Sequence, residues 1–178
     1  MKRFVRKTDS LLAPYRQKLG DDYTAYRHHV LRVIFLAREL TGNPTEEQSE
    51  KIVIAACFHD LGIWSADTFD YLEPSIALAG TYLAKNGLSR WQDEISLMIS
   101  EHHKISVIRE GRFPLAEIFR RADWIDVSLG LLTFGLKKEA IRDIRREFPN
   151  AGFHKRLLQL TVRELGRHPF NPLPMFKW

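Results

Sequence analysis

Apolar residues recur at intervals of three and four along most of the chain, and no stretch of four or more residues alternates apolar and polar between turn signals. That is the period of an α-helix and not of a half-buried strand. The spacing predicts helices over residues 8–18, 23–41, 46–61, 73–86, 90–103, 114–122, 124–134, 137–148 and 152–167. Breaks fall at Gly42-Asn43-Pro44, Asn86-Gly87, Gly111 through Pro114, Pro149-Asn150 and His168-Pro169, where glycine and proline interrupt a helical pattern. Thr45 to Gln48 and Ser89 to Gln92 both read as capping boxes, in which a hydroxyl and a glutamine satisfy free backbone donors at a helix start. The expected fold class is all-α.

With 178 residues and 44% hydrophobic content, the chain has the size and apolar share of one domain spanning 1–178. At about 168–178 the text HPFNPLPMFKW suits an extended C-terminal arm, because proline cannot continue a helix. Such an arm docks on its own domain or on another subunit, so a homo-oligomer is one expectation. The single cysteine, Cys57, excludes an internal disulfide framework and reads as a small apolar filler. The basic start MKRFVRKTDS has no apolar signal core after it, and no run approaches the roughly 18 apolar residues of a membrane span. A cytoplasmic protein with no membrane association is expected.

A net charge of +5 and a pI near 9.4 favour anionic partners. The cations at Arg120-Arg121, Lys137-Lys138, Arg142 and Arg145-Arg146 are dispersed along helix faces and not interleaved with aromatics. That pattern suits a small anionic metabolite, expected to be phosphorylated, better than nucleic acid.

The candidate chemistry lies in four inward positions. In KIVIAACFHDLG, residues 51–62, Ile52, Ala55, Ala56 and His59 share one helix side, and Val53, Cys57 and Asp60 form the adjoining stripe. A buried imidazole and a buried carboxylate just before Gly62, a candidate helix stop, need a partner. A divalent metal is one, since both groups are good ligands. His29 stands in a row with Val33, Leu36 and Leu40, while His28 points about 100° away. Asp123 follows Ala116 and Phe119 on a third apolar face. His29, His59, Asp60 and Asp123 are therefore the expected ligands of one divalent ion, with Mn, Zn, Fe, Co, Ni and Mg all open.

Further groups gather around this set in sequence. His102 follows Ile95, Met98 and Ile99 and points inward, a candidate acid, base or substrate contact. His103 is rotated toward the edge and reads as a supporting residue. Asp126, three residues after Asp123, can orient a ligand histidine from behind, or replace Asp123 if the register differs. Arg27, Arg32 and Lys104 are the cations nearest in sequence and the candidate phosphate contacts.

The texts YRHHVLRV with His29, AACFHDLG with His59 and Asp60, and FRRADWID with Asp123 resemble the HD-domain superfamily of metal-dependent phosphohydrolases over roughly Tyr23 to Leu131. The resemblance implies a helical bundle of the HD-domain type. It also implies hydrolysis of a nucleotide or other small phosphate ester by metal-activated water, which Asp60 both helps to bind and orients. Two departures narrow the implication. Where some members supply a histidine to a second metal, this chain reads EPSIALAG, which favours one ion. Where deoxynucleotidase-like and guanosine-tetraphosphate hydrolase-like members carry Glu, and cyclic-dinucleotide phosphodiesterases Lys, this chain has Ile63. An apolar residue there is similar to the cyanamide hydratase-type branch, so a lyase adding water to a small nitrile-like molecule is one alternative. A non-catalytic metal-binding module is another.

Overall fold

The computed structural model describes residues 1–66, 70–109 and 111–167, so the arm expected at 168–178 lies outside the described residues. Among these residues there are ten α-helices and no strand. They are α1 Lys2–Leu12, α2 Arg16–Leu19, α3 Tyr23–Thr41, α4 Glu46–Phe58, α5 Gly62–Ser65, α6 Leu72–Lys85, α7 Gln92–Ser100, α8 Pro114–Val127, α9 Lys138–Glu147 and α10 Phe153–Arg167. Tight 3-10 turns at Ala13–Tyr15, Gly20–Asp22 and Ser89–Trp91 join some of them. The all-α expectation holds. No helix among the described residues is long and apolar enough to cross a membrane.

Helix α3 is the centre of the packing and lies most extensively against α8, then against α4 and α1. Its buried side includes Val30, Val33, Ile34, Leu36 and Ala37, the face that 3.6-residue spacing selects. Across from it, α4 contributes Ile52, Val53, Ile54, Ala55 and Ala56, and α8 contributes Leu115, Ala116, Phe119 and Ile125. Each fully buried aliphatic of this size contributes about 1.5–3 kcal/mol relative to exposure, so the α3 row anchors the fold. Cys57 is buried in this core as the filler expected, and its burial pushes the thiol up to about 12.

Several boundaries differ from the spacing-based reading. The first helix starts at Lys2 and not at residue 8, and buries Phe4, Thr8, Leu11 and Leu12. Pro14, in the turn that follows, interrupts what reads as one helix over 8–18. The segments 114–122 and 124–134 are not two helices: α8 runs unbroken to Val127. It ends in a Schellman motif, with Gly130 N donating to Ile125 O at 2.8 Å and Leu129 N to Asp126 O at 2.9 Å. Leu129 takes the left-handed position at φ 59°, which hides this stop from a reading that looks for glycine.

The capping box at Thr45 forms: Gln48 N donates to Thr45 Oγ1 at 3.1 Å, and Thr45 N to Gln48 Oε1 at 2.8 Å. The one expected at Ser89 does not. There the chain makes a 3-10 turn first, and Gln92 donates instead to Ser96 Oγ at 2.9 Å.

Candidate metal centre

Four segments deliver the site. His29 projects from the middle of α3, His59 and Asp60 follow the end of α4, His102 follows the end of α7, and Asp123 projects from α8. His29, His59 and His102 have no measurable exposure, and Asp60 and Asp123 are also buried. All five side chains meet in one cluster. The His29 and His59 Nε2 atoms are 3.0 Å apart. Asp60 Oδ2 lies 3.6 Å from His29 Nε2 and 3.4 Å from His59 Nε2, and Asp123 Oδ1 lies 3.5 and 3.7 Å from the same two atoms. His102 Nε2 faces Asp60 Oδ1 at 3.3 Å.

The decisive feature is the outward side of each imidazole. His29 Nδ1 lies 2.8 Å from the Asp126 carboxylate, His59 Nδ1 2.8 Å from Ala56 O, and His102 Nδ1 2.6 Å from Ile99 O. These partners only accept, so each Nδ1 carries a ring proton and each Nε2 is the nitrogen left to face inward. For His59 and His102 the acceptor is the carbonyl three residues back, a group left without a helical partner at a helix end. Three imidazole nitrogens thus converge on two carboxylates. Asp60 Oδ1, both Asp123 oxygens and His102 Nε2 are buried with no hydrogen-bond partner. A divalent cation fits this donor set, because imidazole nitrogens and carboxylate oxygens are both good ligands for one.

The field of the cluster points the same way. Burial disfavours the charged form of His59, yet the Asp60 and Asp123 carboxylates beside it raise its pKa to about 10. His29 is raised against the same burial penalty by its hydrogen bonds to Asp126 and Asp60. Asp60 is held well below the usual carboxylate range, its burial outweighed by the charge of His59 and by the facing imidazoles of His102 and His29. Positive charge is strongly favoured here. Three ligand-type triads lie within reach of one another: His29, His59 and Asp123; His59, Asp60 and His102; and His102, His103 and Asp123.

A model of the family described as the HD domain matches residues 26–128, more than half of the chain. The chain belongs to the HD domain family. The match takes in His29, His59, Asp60, His102 and Asp123. No curated protein and no solved structure matches the chain. The HD domain family is one of metal-dependent hydrolases, and the buried His/Asp cluster of this HD domain can hold a metal.

Behind His29 sits a second buried assembly. Asp126 receives Arg32 Nε on Oδ1 at 2.6 Å and Arg32 Nη2 on Oδ2 at 2.9 Å, while Oδ2 also accepts from His29. Arg32 Nη1 reaches the carbonyls of Phe148 and Pro149 at 3.0 and 3.2 Å. Phe153 stacks on the far face of His29, with centroids 4.0 Å apart. Asp126 therefore holds the ring of His29 from outside the cluster, and Asp123, not Asp126, faces its centre.

The three cations suggested as phosphate contacts each have a carboxylate partner. Arg32 is buried and fully engaged with Asp126 and two carbonyls, which takes it out of a substrate role. Arg27 pairs with Asp9 through two nitrogens. Lys104 lies 3.3 Å from Glu101.

His103 is half-buried, with Nδ1 3.8 Å from Asp123 Oδ2 and Nε2 2.6 Å from the Tyr71 hydroxyl. Burial and the nearby His102 lower its pKa to about 3, so it is neutral. Tyr71 is the residue that helical spacing misses, because it stands just ahead of α6 with no periodic pattern around it. Burial, then the charges of Asp60 and Asp123, push its phenol well above the ordinary value, so it keeps its proton.

The glycine of the HDLG text is not a stop. Gly62 begins α5, and a Cβ there would come within 2.3 Å of Tyr71 O and 2.8 Å of Ser75 Oγ. Its backbone N–H donates to Ser75 Oγ at 2.9 Å. Glycine at this position lets the start of α6 close onto the His59-Asp60 doublet.

Proposed function

We propose that this HD domain is a metal-dependent phosphohydrolase acting on a nucleotide or other small phosphate ester. The observation that carries the reading is the convergence of three inward imidazole nitrogens on two buried carboxylates, three of whose four oxygens have no hydrogen-bond partner. His29, His59, Asp60 and Asp123 would hold one divalent cation. When bound, such an ion supplies Lewis acidity and lowers the pKa of water toward neutrality.

The side chains do the rest. Asp60 has a second oxygen, Oδ1, directed to His102 and not to the His29–His59 pair. That oxygen and His102 Nε2 form an acceptor pair that orients an attacking water and takes up its proton. The excess positive charge of the chain favours an anionic substrate approaching by diffusion. The assignment of 1–178 as one domain, and a homo-oligomer, belong to the same proposal.

One observation favours a second reading. Ile63, where several phosphohydrolase-like relatives carry Glu or Lys, is buried with Tyr71, Leu72 and Leu160 and offers no polar group. A hydratase-like lyase acting on a small nitrile-like molecule accommodates that. The experiment is a phosphate-release screen of nucleotides and simple phosphate esters beside a panel of nitriles, each with added Mn²⁺, Zn²⁺ or Fe²⁺. Phosphate release supports the first reading, and nitrile hydration alone replaces it with the second. A protein that binds metal but turns over neither panel is a binding module.

A further inference from the structure

Tyr71 is fixed against the doublet by packing at both ends. Its carbonyl lies where a side chain on Gly62 would begin, and its ring is buried with Ile63, Leu72, Leu160 and Trp64. The hydroxyl reaches past this packing to His103 Nε2 at 2.6 Å and interacts with the Asp60 carboxylate. The ring stands edge-on to His103 at a centroid distance of 6.3 Å and lies 6.4 Å from His102. A buried phenol is thus aimed at the side of the cluster occupied by Asp60 and His102.

A phenol oxygen accepts one hydrogen bond while its own O–H donates another. With its ring hydrogen on Nε2, His103 donates to the Tyr71 oxygen, and the phenol proton is left to point toward Asp60. A substrate oxygen entering beside Asp60 takes that proton as a hydrogen bond. We propose that Tyr71, oriented by His103, donates a hydrogen bond to the departing oxygen of the phosphate ester. The proposal rests on the phosphohydrolase reading above. In the step, a water oxygen forms a bond to phosphorus as the bond from phosphorus to the alcohol oxygen breaks. The bonding pair stays on the alcohol oxygen, which Tyr71 stabilises. The proton lost by the water ends on that oxygen, giving an alcohol and inorganic phosphate.

Such a donor matters most when the departing oxygen carries the most charge, so leaving-group basicity is the test. Wild type and Tyr71→Phe are compared on glycerol 2-phosphate, a poor leaving group, and p-nitrophenyl phosphate, a good one, with metal content and Tm measured in parallel. The expected result is a fall in kcat of roughly 100-fold on the alkyl ester and of less than about 5-fold on the aryl ester, the former being the scale for losing one transition-state donor. KM, metal content and Tm stay near wild type. His103→Gln, which keeps a donor beside Tyr71, retains the wild-type leaving-group dependence, and His103→Leu reproduces that of Tyr71→Phe.

Equal losses on both esters, or a change confined to KM, overturn the role of Tyr71 while the phosphohydrolase reading stands. If Tyr71→Phe does not fold, the two His103 variants decide by the same ratio. Wild-type protein inactive on every phosphate ester overturns the reading itself and this proposal with it.

Discussion

Arg32 and Asp126 form a buried two-pronged ion pair directly behind His29, with contacts of 2.6 and 2.9 Å. The pair bridges α3 and α8, whose contact is the most extensive in the fold. Burial of Asp126 is offset by hydrogen bonds from His29 and Arg32, which hold its carboxyl well below the usual range. Because Asp126 also fixes the tautomer of His29, structure and metal affinity are joined at one carboxylate.

Asp126→Ala is expected to destabilise the protein by about 3–5 kcal/mol in urea unfolding, since it leaves the Arg32 guanidinium buried without its partner. Asp126→Asn keeps an acceptor for His29 and is expected to fold, with metal affinity lower by roughly 10- to 100-fold in a competitive titration. Unchanged affinity would show that His29 does not need its anchor.

His59→Ala and Asp60→Ala are expected to abolish phosphate release and to lower metal content by elemental analysis. Each removes a group at the centre of the cluster, within 3.7 Å of another candidate ligand. Wild-type turnover by either variant contradicts the assignment of the doublet.

At Gly62 the expected cost is steric. A methyl group placed 2.3 Å from Tyr71 O forces the backbone apart, so Gly62→Ala should lose about 1–3 kcal/mol, the usual range for overpacking. Activity should fall with it, because Tyr71 and the doublet are displaced relative to one another. A variant with unchanged Tm would mean that the α5–α6 turn yields without resistance.

Glu117 sets an acid limit on stability that is separate from the metal centre. Burial alone would raise its pKa, but hydrogen bonds from Arg120, the Ile108 backbone and Arg121 bring it from an ordinary 4.5 down to about 2. Unfolding releases those donors, so the contribution is complete above about pH 4.5 and is lost as pH falls through about 2. Thermal unfolding across this window should show a smaller acid-induced drop in Tm for Glu117→Gln than for wild type. Parallel curves would remove Glu117 from the account.

The inward direction of His29 and Asp123 is legible from spacing because both sit within long helices, where a 3.6-residue period settles orientation. The doublet and His102 are harder. They stand just beyond the ends of α4 and α7, so their direction depends on how each helix terminates, and the carbonyls of Ala56 and Ile99 decide it. Arg32 reads from sequence as a phosphate contact because positive charge near a ligand suggests one. Its real partner, Asp126, is 94 residues away and becomes visible only when α3 meets α8. Tyr71 and Gly62 are connected by a close approach of backbone to backbone, which leaves no periodic trace. Leu129 hides the end of α8 because left-handed backbone is the habit of glycine and asparagine, seldom of leucine.

The attachment of His59 and His102 to their own helix ends has a thermodynamic consequence. Each ring has its Nδ1–H anchored on the backbone side, and His29 is set likewise by Asp126. Loading therefore requires little rotation or tautomer exchange of these rings, and little entropy is lost in arranging them. Discrimination between ions is then left to radius and preferred coordination number, properties of the visitor and not of a site that reshapes itself to meet it.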